Sequence, residues 1–266
     1  MGKKDRPFYK RGYWRLIMFI WTSFLIMVLG TVLYFTALEH DFMGFFGPIP
    51  SLETLENPKT ELASEIYSAD GKLMGKYYRE NRSPVEYEEI SPYLINALIA
   101  TEDIRYEEHS GMDIRSLLRA IVNLGKDGGG STITQQLAKN LYRTRGAESK
   151  GKLHDYPLIG FFVSKTKEWV TAIKIERNYT KKEIITMYLN TVEFGSNAFG
   201  IQTAARTFFD KHPSQLDVLE SAVLVGLLKA PTRYSPISNP ERSKRRRNTV
   251  LEQMQKYKFI TASQAS

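Results

Sequence analysis

The sequence predicts a mainly α chain: an N-terminal transmembrane helix, a small β element and a helical domain that carries the chemistry. Three observations lead there. Leu16 to Leu38 is an uncharged run of 23 residues rich in Leu, Ile, Met, Phe and Val. An Asp70-Gly71 pair separates two short stretches of β-forming residues. From Pro92 onward, apolar residues recur at helical spacing between capping signals and proline stops.

Taking the elements in order, residues 1–15 form a tail with Lys3, Lys4, Arg6, Lys10, Arg11 and Arg15 against a single Asp5. At 1.5 Å per residue the run 16–38 spans about 35 Å, enough for a bilayer. It exceeds a usual signal-peptide core, and no small-x-small site closes it, so a retained single-pass anchor is expected. The basic tail sets the N-terminus in the cytoplasm and everything after Leu38 outside it. Residues 39–61, with Gly44, Gly47, Pro48, Pro50 and Pro58, read as a stem. Residues 62–90 read as the β element, a hairpin turning at Asp70-Gly71. Residues 91–258 follow as the main domain, and 259–266 as a linker or tail. Within it, Thr180-Lys-Lys-Glu183 is a capping box opening a helix through Asn190, and Gln215 to Leu228 has helical apolar spacing that Pro231 stops.

A length of 266 residues and 42% apolar content allow one packed domain with appendages. The absence of cysteine excludes disulfides and thiolate metal or redox sites. A formal charge of +8 attracts polyanions. With the domain outside the membrane, nucleic acid drops out and anionic lipid and lipid-linked phosphate become the natural partners.

Five stretches carry chemistry. They are Thr101-Glu102-Asp103 with Tyr106, His109 and Gly111; Gly129-Gly-Ser-Thr-Ile-Thr-Gln-Gln-Leu-Ala-Lys139-Asn140; and Lys165-Thr-Lys-Glu168. The fourth is Met187-Tyr-Leu-Asn190 to Gly195, continued by Ala198 to Ala205, and the last is Arg246-Arg-Asn-Thr-Val-Leu251. Ile95, Leu98, Ile99 and Glu102 fall at i, i+3, i+4 and i+7, so Glu102 extends an apolar stripe and is partly desolvated, the setting a general base uses. Spacing alone equally allows Glu102 to pair with Arg105. Over residues 132–142, Ile133, Leu137 and Leu141 make one face, and Thr132, Gln135, Gln136 and Lys139 a polar one. Gly128-Gly129-Gly130 before it allows close backbone approach at a helix N-terminus, where amides favour an anion. In a helix starting near Phe161, Lys165 and Glu168 share a face at i, i+3, which by itself is also what a surface ion pair looks like.

In this order the five stretches resemble the motifs of the peptidoglycan glycosyltransferases, covering roughly residues 91–255, with Tyr106 where the family pattern has Phe. The resemblance implies a lysozyme-like helical domain that polymerises lipid II. Glu102 becomes the general base and Glu168 the second catalytic carboxylate. Lys139 contacts the donor pyrophosphate, with Ser131, Thr134, Gln135 and Gln136 lining the cleft. Asp103, His109, Gly130, Thr132, Asn140, Lys165 and Asn190 complete the substrate-binding set, although Asp103 also suits a local structural role. The expected reaction is inverting attack of an acceptor sugar 4-hydroxyl on the anomeric carbon of the donor, forming a β-1,4 linkage and releasing undecaprenyl pyrophosphate. No cofactor is required, and Mg2+ or Mn2+ at the pyrophosphate is the family's option; the sequence has no His or Asp cluster dedicated to a metal. Expected partners are lipid II, the growing glycan, membrane lipids and other cell-wall synthesis proteins.

The sequence departs from the family at Ser164, where an arginine is usual, and in a longer segment 143–162. This leaves open which of Arg143, Arg145, Lys150 and Lys152 supplies a further phosphate cation. Leu153, Tyr156, Leu158, Ile159, Phe161, Phe162 and Val163 fit either core or membrane contact, the family's corresponding subdomain lying against the bilayer. The basic run Arg242 to Arg247 fits either a solvated helix start or a lipid-phosphate contact. A membrane-anchored muramidase or lytic transglycosylase is the rival enzyme, and a tethered scaffold the non-enzymatic alternative; a phosphate cradle around Lys139 speaks against the hydrolase. Ser149-Lys-Gly-Lys152 and Ser164-Lys-Thr-Lys167 match Ser-x-x-Lys inside this region by chance, so the stretch resembles the N-terminal part of a class A penicillin-binding protein or a monofunctional transglycosylase.

Overall fold

In a computed structural model, the structure describes residues 8–50, 64–68, 70, 73–77, 84–122, 129–141 and 149–265. The chain forms two compact units, Met1–Ile49 with Gly146–Val163, and Pro50–Arg145 with Ser164–Ser266.

The first unit is dominated by the Phe8–Glu39 helix. Its Gly12–Glu39 portion has mean hydropathy 2.4 and is long and apolar enough to cross a membrane. Side chains from Leu16 to Phe35 are largely exposed, as a helix solvated by lipid requires. The chain then turns sharply at Asp41, whose Oδ1 accepts from the amides of Phe46 (3.0 Å) and Gly47 (2.7 Å). The Phe45 carbonyl accepts from the Leu153 amide at 2.9 Å, and Lys152 Nζ donates to the Met43 carbonyl at 3.2 Å while lying 5.5 Å over the Phe45 ring. Leu158, Ile159, Phe161 and Phe162 are exposed and Val163 is buried. The apolar segment is therefore not a core, Val163 aside.

In the second unit, Ser64–Tyr67 pairs antiparallel with Leu73–Tyr77, Ser64 opposite Tyr77, with an irregular register after Ile66. Gly71 of the expected turn lies outside the described residues. The expected β region is shorter than 62–90: Tyr87–Glu89 is a 3-10 turn, the Glu86 amide donating to the Glu89 carboxylate at 2.9 Å and the Glu89 amide to the Glu86 carbonyl at 3.0 Å.

The core of this unit is helical. Pro92–Glu102 packs against Val218–Leu228 and Pro240–Lys256, which pack on each other, and Ile133–Leu141 packs against Lys181–Thr191. Pro92 sits at the helix start, where its missing N–H costs nothing, and buries Leu94, Ile95, Ala97, Leu98 and Ala100. Thr180 and Glu183 cap reciprocally, as the sequence pattern predicts. The next expected helix begins later than Gln215, at Val218, because Asp217 and Glu220 form a second capping box and Pro213–Gln215 closes its own 3-10 turn. The helix expected near Phe161 begins at Pro157, a proline-first start the spacing argument overlooked. This scaffold leaves the C-terminal end of Pro92–Glu102 beside the polar residues of Ile133–Leu141.

Candidate active site

Glu102 is the last residue of its helix and its side chain is 18% exposed. Gln136 Nε2 donates to Glu102 Oε2 at 2.9 Å. The Gln136 carbonyl in turn accepts from the Tyr188 hydroxyl at 2.9 Å. Burial pushes the Tyr188 phenol well above its ordinary range, and the nearby Glu102 charge pushes it further, so this hydroxyl is a fixed donor. Arg246 approaches the other carboxylate oxygen, Nη2 to Oε1, at 3.9 Å. The alternative partner, Arg105, faces away: it holds Asp113 through Nη2 (2.5 Å to Oδ1) and Nε (3.0 Å to Oδ2). Burial alone would raise the Asp113 carboxyl; hydrogen bonds from Arg105 and Ser116, with the guanidinium charge, outweigh it and hold it at about 2.

The second carboxylate, Glu168, is buried. Its Oε2 accepts from Lys165 Nζ at 2.8 Å, and the same ammonium donates to Ser131 Oγ at 2.7 Å. Ser131 and Gln136 thus bring one short segment into contact with both carboxylate clusters. Lys139 and Asn140 lie exposed at the end of Ile133–Leu141, and among the described residues Lys139 makes no hydrogen bond. A solvated ammonium one turn beyond Gln136 is able to meet a phosphate.

Other residues of the expected set are turned inward. Asp103 accepts from His109 Nε2 and from the Ile133 amide, each at 3.0 Å, and so caps the Ile133–Leu141 helix. Thr132 Oγ1 and Gln135 Nε2 donate to the Gly111 carbonyl at 2.8 and 3.1 Å. Thr134 donates to Glu176 at 2.6 Å, and Glu176 pairs with Lys181, which donates to the His109 carbonyl at 2.6 Å and lies 4.3 Å over the Tyr106 ring. Asn190 exchanges two bonds with the Val85 backbone, 2.9 and 3.1 Å, imitating a strand pair. Gly130 approaches Leu117 and Ala120 so closely that an added Cβ would lie 3.2 Å from each. The continuous polar face expected on 132–142 is therefore divided: Thr132 and Gln135 are buried, while Gln136 and Lys139 are reachable.

Gly128, Arg143 and Arg145 lie outside the described residues, Lys150 is exposed, and Lys152 is engaged by Met43 and Phe45 as above. Among the described residues no group of three or more His, Cys, Asp or Glu side chains is placed to hold a metal ion. Arg246, Tyr188 and Lys181 were missed as individual site residues. A signal existed for the first: Ser243, Arg246, Val250 and Met254 are spaced three, four and four, which puts an arginine on the inward stripe of Pro240–Lys256.

Comparison with known proteins finds relatives of the chain. The model of the transglycosylase family matches residues 70–255. Penicillin-binding protein 1A of Pseudomonas aeruginosa is 36% identical over 250 residues, 92% of this chain and 28% of that protein. Penicillin-binding protein 1F of Bacillus subtilis is 42% identical over 207 residues, covering 76% and 27%. A crystal structure of penicillin-binding protein 1A from Haemophilus influenzae aligns with 24% identity and a TM-score of 0.43, over 78% of this chain and 20% of that one. The chain spans under a third of the length of these relatives.

Proposed function

The chain belongs to the transglycosylase family, and from that premise we propose that it polymerises lipid II into peptidoglycan glycan strands. Glu102 takes the proton from the acceptor 4-hydroxyl as that oxygen attacks the anomeric carbon of the donor. The glycosidic bond to undecaprenyl pyrophosphate breaks, the electron pair leaves with the phosphate, and inversion yields a β-1,4 linkage. The observation that carries this reading is the arrangement around Ser131–Lys139. Gln136 orients a half-buried carboxylate suited to a base. Ser131 reaches the Lys165–Glu168 pair, and Lys139, exposed and without a hydrogen bond among the described residues, stands at the end of the same helix for the pyrophosphate. Pyrophosphate is a good leaving group, so cations at its oxygens do what a general acid would otherwise do. The Mg2+ or Mn2+ that the family can use there finds no cluster of His, Asp or Glu side chains to hold it among the described residues.

A hydrolase of neutral glycosidic bonds would have no use for Lys139. The chain is a single-pass membrane protein on this reading, its tail cytoplasmic and its domain facing the lipid-linked donor; membrane lipids and other cell-wall synthesis proteins are its expected neighbours, and nucleic acid is not. Incubation with lipid II should produce long glycan and free undecaprenyl pyrophosphate, and no cleavage of preformed glycan. Cleavage without polymerisation would replace the proposal with a muramidase; neither activity would leave the scaffold.

A further inference from the structure

Arg246 belongs to a basic run that the sequence assigns to either a solvated helix start or a lipid-phosphate contact, yet its side chain is only 12% exposed. Gly226 makes room for it, since a Cβ there would lie 3.2 Å from Arg246 Cγ. Its guanidinium carbon lies 6.0 Å from the centre of the Tyr234 ring. Its Nε is buried with no hydrogen-bond partner among the described residues. Its Nη2 faces Glu102 Oε1 at 3.9 Å, while Glu102 Oε2 is taken by Gln136. A buried cation with an unmet donor is held at a cost, and among the described residues the carboxylate paired with it is the one assigned as base.

We propose that Arg246 is a positioning residue for Glu102: it steers Oε1, the oxygen that Gln136 leaves unbonded, toward the incoming hydroxyl. The inference rests on Glu102 acting as the base. The charged and titratable groups around Glu102 are few. Arg246 comes from Pro240–Lys256 and Tyr188 from Lys181–Thr191 through Gln136. The adjacent Asp103 is turned to His109, Lys139 lies one turn beyond Gln136 on Ile133–Leu141, and Glu220, the titratable residue of Val218–Leu228, pairs with Lys211 at 2.6 Å. Arg246 is thus the one cation paired with the carboxylate among the described residues. The same position makes Gly226 part of the device, because any larger side chain would displace the arginine stem.

The test is the steady-state kinetics of the full chain in detergent with lipid II, for native protein, Arg246→Gln, Arg246→Lys and Glu102→Gln, beside thermal melts. Arg246→Gln should lower kcat about tenfold with KM little changed, and Arg246→Lys should largely restore kcat. Should Arg246→Gln lose its cooperative thermal transition, Tyr234→Leu, which removes the ring beneath the guanidinium, should lower kcat in the same way by less. An unchanged kcat in the folded variants, with Glu102→Gln inactive, overturns the role of Arg246 and leaves the base assignment standing. Substantial activity in Glu102→Gln removes the base assignment and this inference together.

Discussion

Tyr188 and Glu102 are linked through a single side chain: the tyrosine hydroxyl donates to Gln136 Oε1 at 2.9 Å and Gln136 Nε2 donates to Glu102 Oε2 at 2.9 Å. The phenol fixes which way the amide points, and the amide fixes the carboxylate. Tyr188→Phe would leave the Gln136 carbonyl without its donor, at a stability loss of about 1–3 kcal/mol. Because the amide is then free to flip, kcat should fall on the order of fivefold to tenfold with KM little changed. Steady-state kinetics beside a thermal melt check both; unchanged kcat would mean that Glu102 is held without the relay.

Gly111 sits at φ +88, and an added Cβ would lie 2.9 Å from the Ala172 carbonyl group. Its carbonyl also receives Thr132 and Gln135. Gly111→Ala is therefore expected to destabilise by about 2–3 kcal/mol, measured by denaturant unfolding. A loss under half of that would show that the backbone relaxes cheaply.

Asp113 supplies a pH signature. Its folded-state carboxyl lies at about 2 against an ordinary 3.8, so its contribution to stability is present above about pH 4 and lost as pH falls toward 2. The stability gap between native protein and Asp113→Asn should be flat above pH 4 and close as pH drops to 2. A gap that persists at pH 2 would locate the effect in packing rather than charge.

Much of this was legible in the sequence, and the exceptions have physical causes. Capping boxes at Thr180 and Asp217 and the proline start at Pro92 are local rules, written in neighbouring residues. The uncharged run 16–38 is equally local. Glu102 and Gln136 could be placed by periodicity as well as by resemblance. By contrast Thr134, Gln135 and Asn190 look like site residues in a polar motif, yet their partners, Glu176, Gly111 and Val85, come from distant segments. Helical spacing says which side chains share a face, not whether that face meets solvent or another helix. Arg246 heads the fifth stretch, yet its pairing with Glu102 was hidden for the same reason: within Arg245-Arg246-Arg247 only the inward stripe marks the middle one.

Lys139 has no internal partner among the described residues, so Lys139→Ala should leave folding unchanged. The donor concentration needed for half-maximal rate should rise about 10- to 100-fold, since a hydrogen bond to a charged group contributes about 1.5–3 kcal/mol. Binding of a phosphate-free glycan should not change. Equal weakening of both would refute the pyrophosphate role.

Ile159 and Phe162 are 47% and 67% exposed in the first unit. Ile159→Lys with Phe162→Lys should shift stability by no more than about 0.5 kcal/mol, while slowing turnover of membrane-embedded donor if these side chains sit in lipid. Loss of the cooperative thermal transition would make the segment ordinary core.

The most direct measurement is glycan polymerisation by Glu102→Gln against native protein, with matched thermal melts. The substitution keeps shape and the Gln136 contact but cannot take a proton. General-base contributions run from about 10² to 10⁴, so the account predicts well under a tenth of the native rate from a protein that melts as the native one does. A folded Glu102→Gln variant that retains more than about a tenth of that rate would contradict it.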